Sequence, residues 1–270
     1  MAKYHIRSIY LLIILYVIVV GIMKPSFLQL DNWMNLLRSV SVYGIISCGI
    51  TFVMLTGRTD LSAGMMLTFL ATISCYFVTP GIENQLLAIV VPILLGAVGG
   101  LVNGILVGVI RLNSFVSTLG MMSLYTGFVL LFIKQSPSLF GSQDMTVYRF
   151  LGQGSILGIP TPVIILAIVA IVSSIVLRRT VYGARIYAVG SNASAARYSG
   201  ISPAAIIVSV YTVSGLLTGL GAVVMCSRIL SAQPKMGSGY EFTALTAIVL
   251  GGLSIQGGKG GILGTLIGVL

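Results

Sequence analysis

Charge is what this sequence has least of. Only 7% of its 270 residues are charged, against about 25% in a soluble domain. That is too few to cover a water-facing surface, which excludes an ordinary soluble enzyme, a disordered chain and a nucleic-acid module. One histidine, His5, and five carboxylates leave little material for a zinc, haem or intramembrane metalloprotease centre. The three cysteines, Cys48, Cys75 and Cys226, lie in or beside apolar runs. Their spacing is neither metal-like nor paired, so they read as small apolar helix residues. A nucleotide-binding loop is missing too. The nearest approach, Gly252 to Gly260, has Leu253 where GxxxxGK(S/T) needs Gly, and Gly260 where it needs Ser or Thr. No catalytic, metal or cofactor site is expected in this chain.

What the sequence does contain is apolar: 57% of residues are hydrophobic and the mean hydropathy is +1.07. The expected fold is an all-α polytopic membrane protein. A hydrocarbon core about 30 Å thick needs about 20 helical residues. Runs of that size fall near 8–23, 40–56, 62–78, 86–110, 114–133, 161–177, 204–227 and 241–255, with a ninth beginning near 261. The first follows Lys3 and Arg7 without a small-x-small cleavage site after Met23, so it reads as an uncleaved anchor. The ninth is still running at Leu270. An end inside lipid is unfavourable, so one or two further spans are expected beyond it.

Lys and Arg placement sets the orientation. A cytoplasmic N-terminus puts Lys3, Arg7, Arg58, Arg111, Arg178, Arg179, Arg185, Arg197 and Lys259 inside, with Asp60 as the one acid. Outside fall Lys24, Arg38, Lys134, Arg149, Arg228 and Lys235, with Asp31, Glu83, Asp144 and Glu241. The segment 178–203, with four Arg and no acid, decides the choice. The net charge of +10 is therefore read as topology. The outer loops are 24–39, 134–160 and 228–240.

The 33 glycines form stripes. Gly96, Gly100, Gly104 and Gly108 recur every fourth residue, as do Gly215 and Gly219, and Gly260, Gly264 and Gly268. Lipid gives helices no hydrophobic reason to associate, and small faces let backbones approach. Ionisable groups are scarce inside the spans, which weakens an ion-coupled carrier. Asn103, in a span between Gly100 and Gly104, reads as interhelical glue or path lining. Ser117 and Thr118 can bond back to their own helix and are weaker path candidates. Asp60 reads as the N-cap of the third span, or as a gate group with a hydrogen bond or salt link to Arg58 or another basic residue. Glu241 reads as a cap near the outer edge.

The 178–203 segment is the one long polar excursion inside. Asn192 starts a short helix from Ala193 to Ser199, and Gly200 closes it. Such an element fits a groove on a partner; an ordinary positive-inside loop is the other reading. The run from Tyr182-Gly183 and Arg185 through Ile186-Tyr187-Ala188, Gly190 and Asn192 to Ala195-Ala196-Arg197, Ser199 and Gly200-Ile201 closely resembles the coupling loop of ribose-type ABC importer permeases. Thr56 to Gly64 resembles that family's Gly-Gly-Ile-Asp-Leu-Ser-x-Gly turn. Asn103-Gly104 with Phe115 to Met121 resembles its next signature. Gln233-Pro234, Gly239-Tyr240-Glu241, Gly251-Gly252, Gly257 to Gly260 and Gly264-Thr265 resemble its C-terminal one. Arg58-Thr59, Ser114, Ala184, Thr243 and Leu253 depart from the usual residues.

The resemblance implies a single transmembrane permease domain over 1–270, about nine spans here and about ten when complete, in the bacterial inner membrane. It implies a path for a monosaccharide or similar small polar solute. The implied partners are cytoplasmic ABC ATPase subunits, a second permease subunit, a periplasmic sugar-binding protein and membrane lipid, with no nucleic acid. Residues Tyr182, Gly183, Arg185, Asn192, Ala195, Ala196, Arg197, Ser199 and Gly200 would couple to the ATPase; Asp60, Asn103, Ser117 and Thr118 are the path or gate candidates. A secondary carrier or passive channel, a membrane enzyme or scaffold, and a truncated, inactive permease are the alternatives.

Overall fold

The computed structural model describes residues 17, 19–79, 81–132 and 145–270. Most of the expected first span, and the 134–144 part of the second outer loop, lie outside the described residues.

A 3-10 turn, Pro25–Leu28, leads into α1 (Leu30–Leu55). After α2 (Ala63–Phe77), Asn84 starts α3 (Gln85–Gly104) by accepting the Leu87 N–H at 3.0 Å. α3 runs on through a π-helical turn, Ile105–Val109, and α4 is Ser114–Phe132. The short α5 (Thr146–Gln153) precedes an antiparallel hairpin, β1 (Ser155–Ile156) and β2 (Ile159–Pro160), with Ser155 opposite Pro160. Then come α6 (Thr161–Arg179), α7 (Val181–Ser191) and α8 (Ala193–Tyr198). Ser202 caps α9 (Pro203–Ile229), whose proline sits at the first helical position, where its missing N–H costs nothing. α10 (Tyr240–Leu250) and α11 (Ile262–Val269) end the described chain.

Among the described residues five helices are long and apolar enough to cross a membrane: Asn32–Leu55, Gln85–Val109, Ser114–Leu131, Thr161–Arg179 and Pro203–Ile229. α2 and α10 are apolar but have only 15 and 11 residues. At 1.5 Å per residue they fall well short of a core about 30 Å thick. Each follows a long helix, α1 or α9, across an irregular segment.

Several boundaries correct the expectation. α1 begins at Leu30, so most of the outer loop 24–39 is helix. Arg38 interrupts the apolar run, but it donates to Asn35 Oδ1 one turn earlier at 3.2 Å and so stays on the helix surface. α10 stops at Leu250 rather than 255, because Gly251-Gly252 follows and Gly252 takes a left-handed φ of 86°. Residues 181–191, expected as loop, form α7 because Thr180 accepts the Gly183 N–H at 3.2 Å.

α9 is the central helix and packs most extensively on α3, then on α1 and α2. The glycine stripes explain how. A Cβ on Gly100 would strike the Tyr211 carbonyl, one on Gly96 the Gly215 carbonyl, and one on Gly104 would sit 2.7 Å from the Val208 Cα. The C-terminal stripe packs likewise, Gly264 against Gly251 and Gly268 against Ala247.

Pro92 lies inside α3 and has no N–H for the carbonyl of Ala88. Ser74 of α2 donates to that carbonyl at 2.7 Å, and the Tyr148 hydroxyl lies 2.7 Å from Ser74 Oγ. Tertiary structure thus satisfies what proline breaks. Ser74→Ala is expected to cost about 1–3 kcal/mol by orphaning the carbonyl. Adding Pro92→Ala should recover most of it, since residue 92 then supplies the missing N–H. Thermal unfolding in detergent measures both; equal melting temperatures for wild type and Ser74→Ala would refute the account.

The cysteines are as expected: all three are free and buried. The fold also brings Cys75 of α2 beside Cys226 of α9. They are 151 residues apart in sequence, so no spacing signal existed.

Candidate functional site: coupling surface, buried network and groove

The segment expected to couple folds as two capped helices. Asn192 Oδ1 accepts the Ala195 N–H at 2.9 Å and starts α8. Gly200, at φ +80°, ends it in a conformation that suits glycine. The expected helix ran to Ser199; the observed one stops at Tyr198, with the Ser199 hydroxyl donating back to the Ala195 carbonyl at 3.1 Å. Ala195 and Arg197 are exposed, but Ala196 is buried. Ala196, one of the residues expected to couple, packs inward. The outward aromatic is Tyr198, 94% exposed, which sequence reasoning passed over.

α7 anchors this surface. The Tyr182 hydroxyl donates to Ser209 Oγ at 2.9 Å, and the Tyr187 hydroxyl to the Gly260 carbonyl at 2.9 Å. Burial raises both phenols. The Ser209 hydrogen bond opposes this at Tyr182, and the Arg178 charge opposes it at Tyr187. Both are neutral donors at pH 7. Gly183 packs on the Leu177 carbonyl and Gly190 on the Leu55 carbonyl, while the Gly258 N–H donates to Leu55 O at 2.9 Å. Arg185 is exposed. The Gly252–Gly260 turn is therefore a joint between α1 and α7.

The gate candidates split into two kinds. Asp60 is fully buried, and Ser62 rather than Asp60 occupies the N-cap position of α2, without a side-chain capping bond, which corrects the cap expected at Asp60. Asp60 Oδ1 accepts the Ser62 N–H at 3.0 Å and the Ser62 hydroxyl at 2.7 Å, while Ser214 of α9 donates to Oδ2 at 3.4 Å. No ion pair joins it to Arg58, correcting the expected link. Asn103 Nδ2 donates to Ser62 Oγ at 2.8 Å, so Asn103 ties α3 to the same network; its Oδ1 has no partner. Thr118 bonds back to the carbonyls of Ser114 and Phe115, and the buried Ser117 hydroxyl is unpartnered. Glu241, expected at the outer edge, is buried against Gly64 with Oε2 unpartnered.

None of these residues lines the opening beside α1. That opening is a groove of about 570 Å³ between α1, α10 and α11, and its walls carry Tyr43, Ser47, Thr243 and Thr246 but no charge. Tyr43 stacks on Tyr240 with ring centroids 4.0 Å apart. Hydroxyls without charge suit a neutral, hydroxylated solute. No sequence signal distinguished these hydroxyls from the other Ser and Thr of the spans. Among the described residues no three His, Cys, Asp or Glu converge as metal ligands.

Compared with known proteins, residues 32–270 match the family described as the permease component of branched-chain amino acid transport systems. The chain belongs to this permease family. It is 40% identical over 266 residues to the ribose import permease RbsC of Escherichia coli strain K12, covering 98% of this chain and 82% of the relative. It is 39% identical over 254 residues to RbsC of Bacillus subtilis strain 168, covering 94% and 78%. It is 34% identical over 255 residues to the D-allose transport system permease AlsC of Escherichia coli strain K12, covering 94% and 77%. No solved structure matches the chain. Membership in the permease family, with the apolar helices, makes this a multi-pass membrane protein.

Proposed function

We propose that this permease is the membrane subunit of an ATP-binding-cassette importer for a monosaccharide, in a bacterial inner membrane. The carrying observation is its similarity, along nearly its whole length, to permeases named for ribose import. The chain is one transmembrane domain of about nine spans in the given sequence, with its N-terminus in the cytoplasm. It hydrolyses nothing and holds no cofactor. ATP is hydrolysed on separate cytoplasmic subunits that grip α8 through Tyr198 and Ala195. A periplasmic binding protein delivers the sugar to the outer loops. A second permease subunit completes the path, which passes the hydroxyl-lined groove of α1, α10 and α11. Asp60, Ser62, Asn103 and Ser214 hold α2, α3 and α9 as one gate unit.

The test is uptake of labelled pentoses and hexoses into vesicles holding the permease, its ATPase and its binding protein. Uptake that requires ATP and all three components is expected. Uptake by the permease alone would point to a carrier or channel instead. Within this assay Thr246→Phe is expected to reduce transport about tenfold or more, since a ring takes up the room that a sugar-sized solute needs. The melting temperature should not change, because Thr246 is exposed on the groove wall. Undiminished uptake would remove the groove from the path.

A further inference from the structure

The inner ends of α3 and α4, the coupling helix α8 and the start of α9 enclose a cavity of about 720 Å³. Arg58, Arg111 and Arg197 line it, and no carboxylate does. Among the described residues none of the three is paired with an acid; Asp60, two residues from Arg58, spends its hydrogen bonds on Ser62 and Ser214. Three arginines lining one space favour an anion there. The first residues of α9, Ser202 to Ala204, also line the cavity, as does Asn113 just before α4. Both helix starts add positive potential. Arg111 is held at φ +65°, a left-handed conformation that is uncommon for a non-glycine residue.

The planar guanidinium fork matches phosphate oxygens in pairs. The rim says which phosphate. Leu112 lines the cavity and is 47% exposed, and Ile110 and Phe115 beside it are exposed too. A soluble phosphate has no use for that apolar border, whereas the acyl chains of a lipid do.

We propose that this cavity binds the headgroup phosphate of an anionic phospholipid, clamped by Arg58, Arg111 and Arg197 with its chains along Leu112 and Phe115. Basic pockets at the cytoplasmic ends of membrane helices take such headgroups. Because Arg197 belongs to α8 and Arg111 to the α3–α4 turn, the lipid bridges the coupling helix to the rest of the bundle. That consequence rests on the coupling role proposed above; the binding itself does not.

The experiment is native mass spectrometry of the purified full chain with phosphatidylglycerol or phosphatidylcholine, and with inorganic phosphate in a separate arm. The wild type is expected to retain phosphatidylglycerol preferentially, and each of Arg58→Gln, Arg111→Gln and Arg197→Gln to reduce that preference about fivefold. Arg178→Gln/Arg179→Gln, outside the cavity, should keep it. The single variants serve if a triple replacement fails to fold. Equal retention of the two lipids by the wild type, or an unchanged preference in all three single variants, would overturn the proposal. Saturation by inorganic phosphate without a phosphatidylglycerol preference would assign the site to a soluble anion and overturn the lipid. No ATPase is present in this assay, so its failure leaves the transport reading standing.

Discussion

Gly100→Leu is expected to be the most damaging single substitution in the membrane bundle. The α3–α9 contact is backbone against backbone. Gly100 faces the Tyr211 carbonyl, the Gly215 Cα would lie 3.1 Å from its added Cβ, and Gly219 faces the Pro92 carbonyl at 2.6 Å from its own. Overpacked cores lose about 1–3 kcal/mol when side chains can shift. Here the obstacle is main chain on the central helix, so neither partner can yield and the helices must separate. In lipid the separated helices lose dispersion contact and gain no hydrophobic return. A fall of about 10 °C in melting temperature in detergent is expected, from the upper end of that cost. Gly120→Leu and Gly127→Leu are the controls, because a Cβ at either meets nothing within 4 Å. If Gly100→Leu melts with those two, the stripe does not hold the helices together.

The second large effect is functional. Tyr198→Ala should cut ATP-driven uptake while leaving the chain inserted and equally stable. An aromatic residue 94% exposed on a capped helix contributes nothing to the isolated fold. Buried in a partner groove, it has the character of a hot spot, and losing about 2 kcal/mol weakens ATPase binding about thirtyfold. Ala195→Trp, on the same exposed surface, should obstruct docking too. Ala196→Trp is uninformative, because Ala196 is buried and a ring there would disturb the fold. Normal uptake and normal ATPase co-purification by Tyr198→Ala would move the coupling surface elsewhere.

Much of the site was legible because its signals are local. Asn192 and Gly200 act within one helical turn, so the capped helix 193–198 could be read within a residue of its end. The long apolar helices could be read from hydropathy in the same way. The gate candidates were only half legible. A buried amide such as Asn103 must find a partner, but nothing local says that the partner is Ser62, or that Asp60 bonds Ser214 across 154 residues. The groove hydroxyls carried no distinguishing pattern at all.

By itself the sequence determined that the chain is helical and apolar enough for a membrane, where most of its helices begin and break, and which faces are bare enough for close packing. These follow from composition, hydropathy, caps and four-residue periodicity, all of which act over a turn or two of helix. Only the tertiary structure decided which glycine stripe meets which helix, that Ala196 turns in while Tyr198 turns out, that Cys75 meets Cys226, and that three distant arginines share one cavity. Such pairings join residues far apart in sequence, as Thr51 meets Thr265 across 214 positions. They are chosen by fitting whole helices together, which no local pattern encodes.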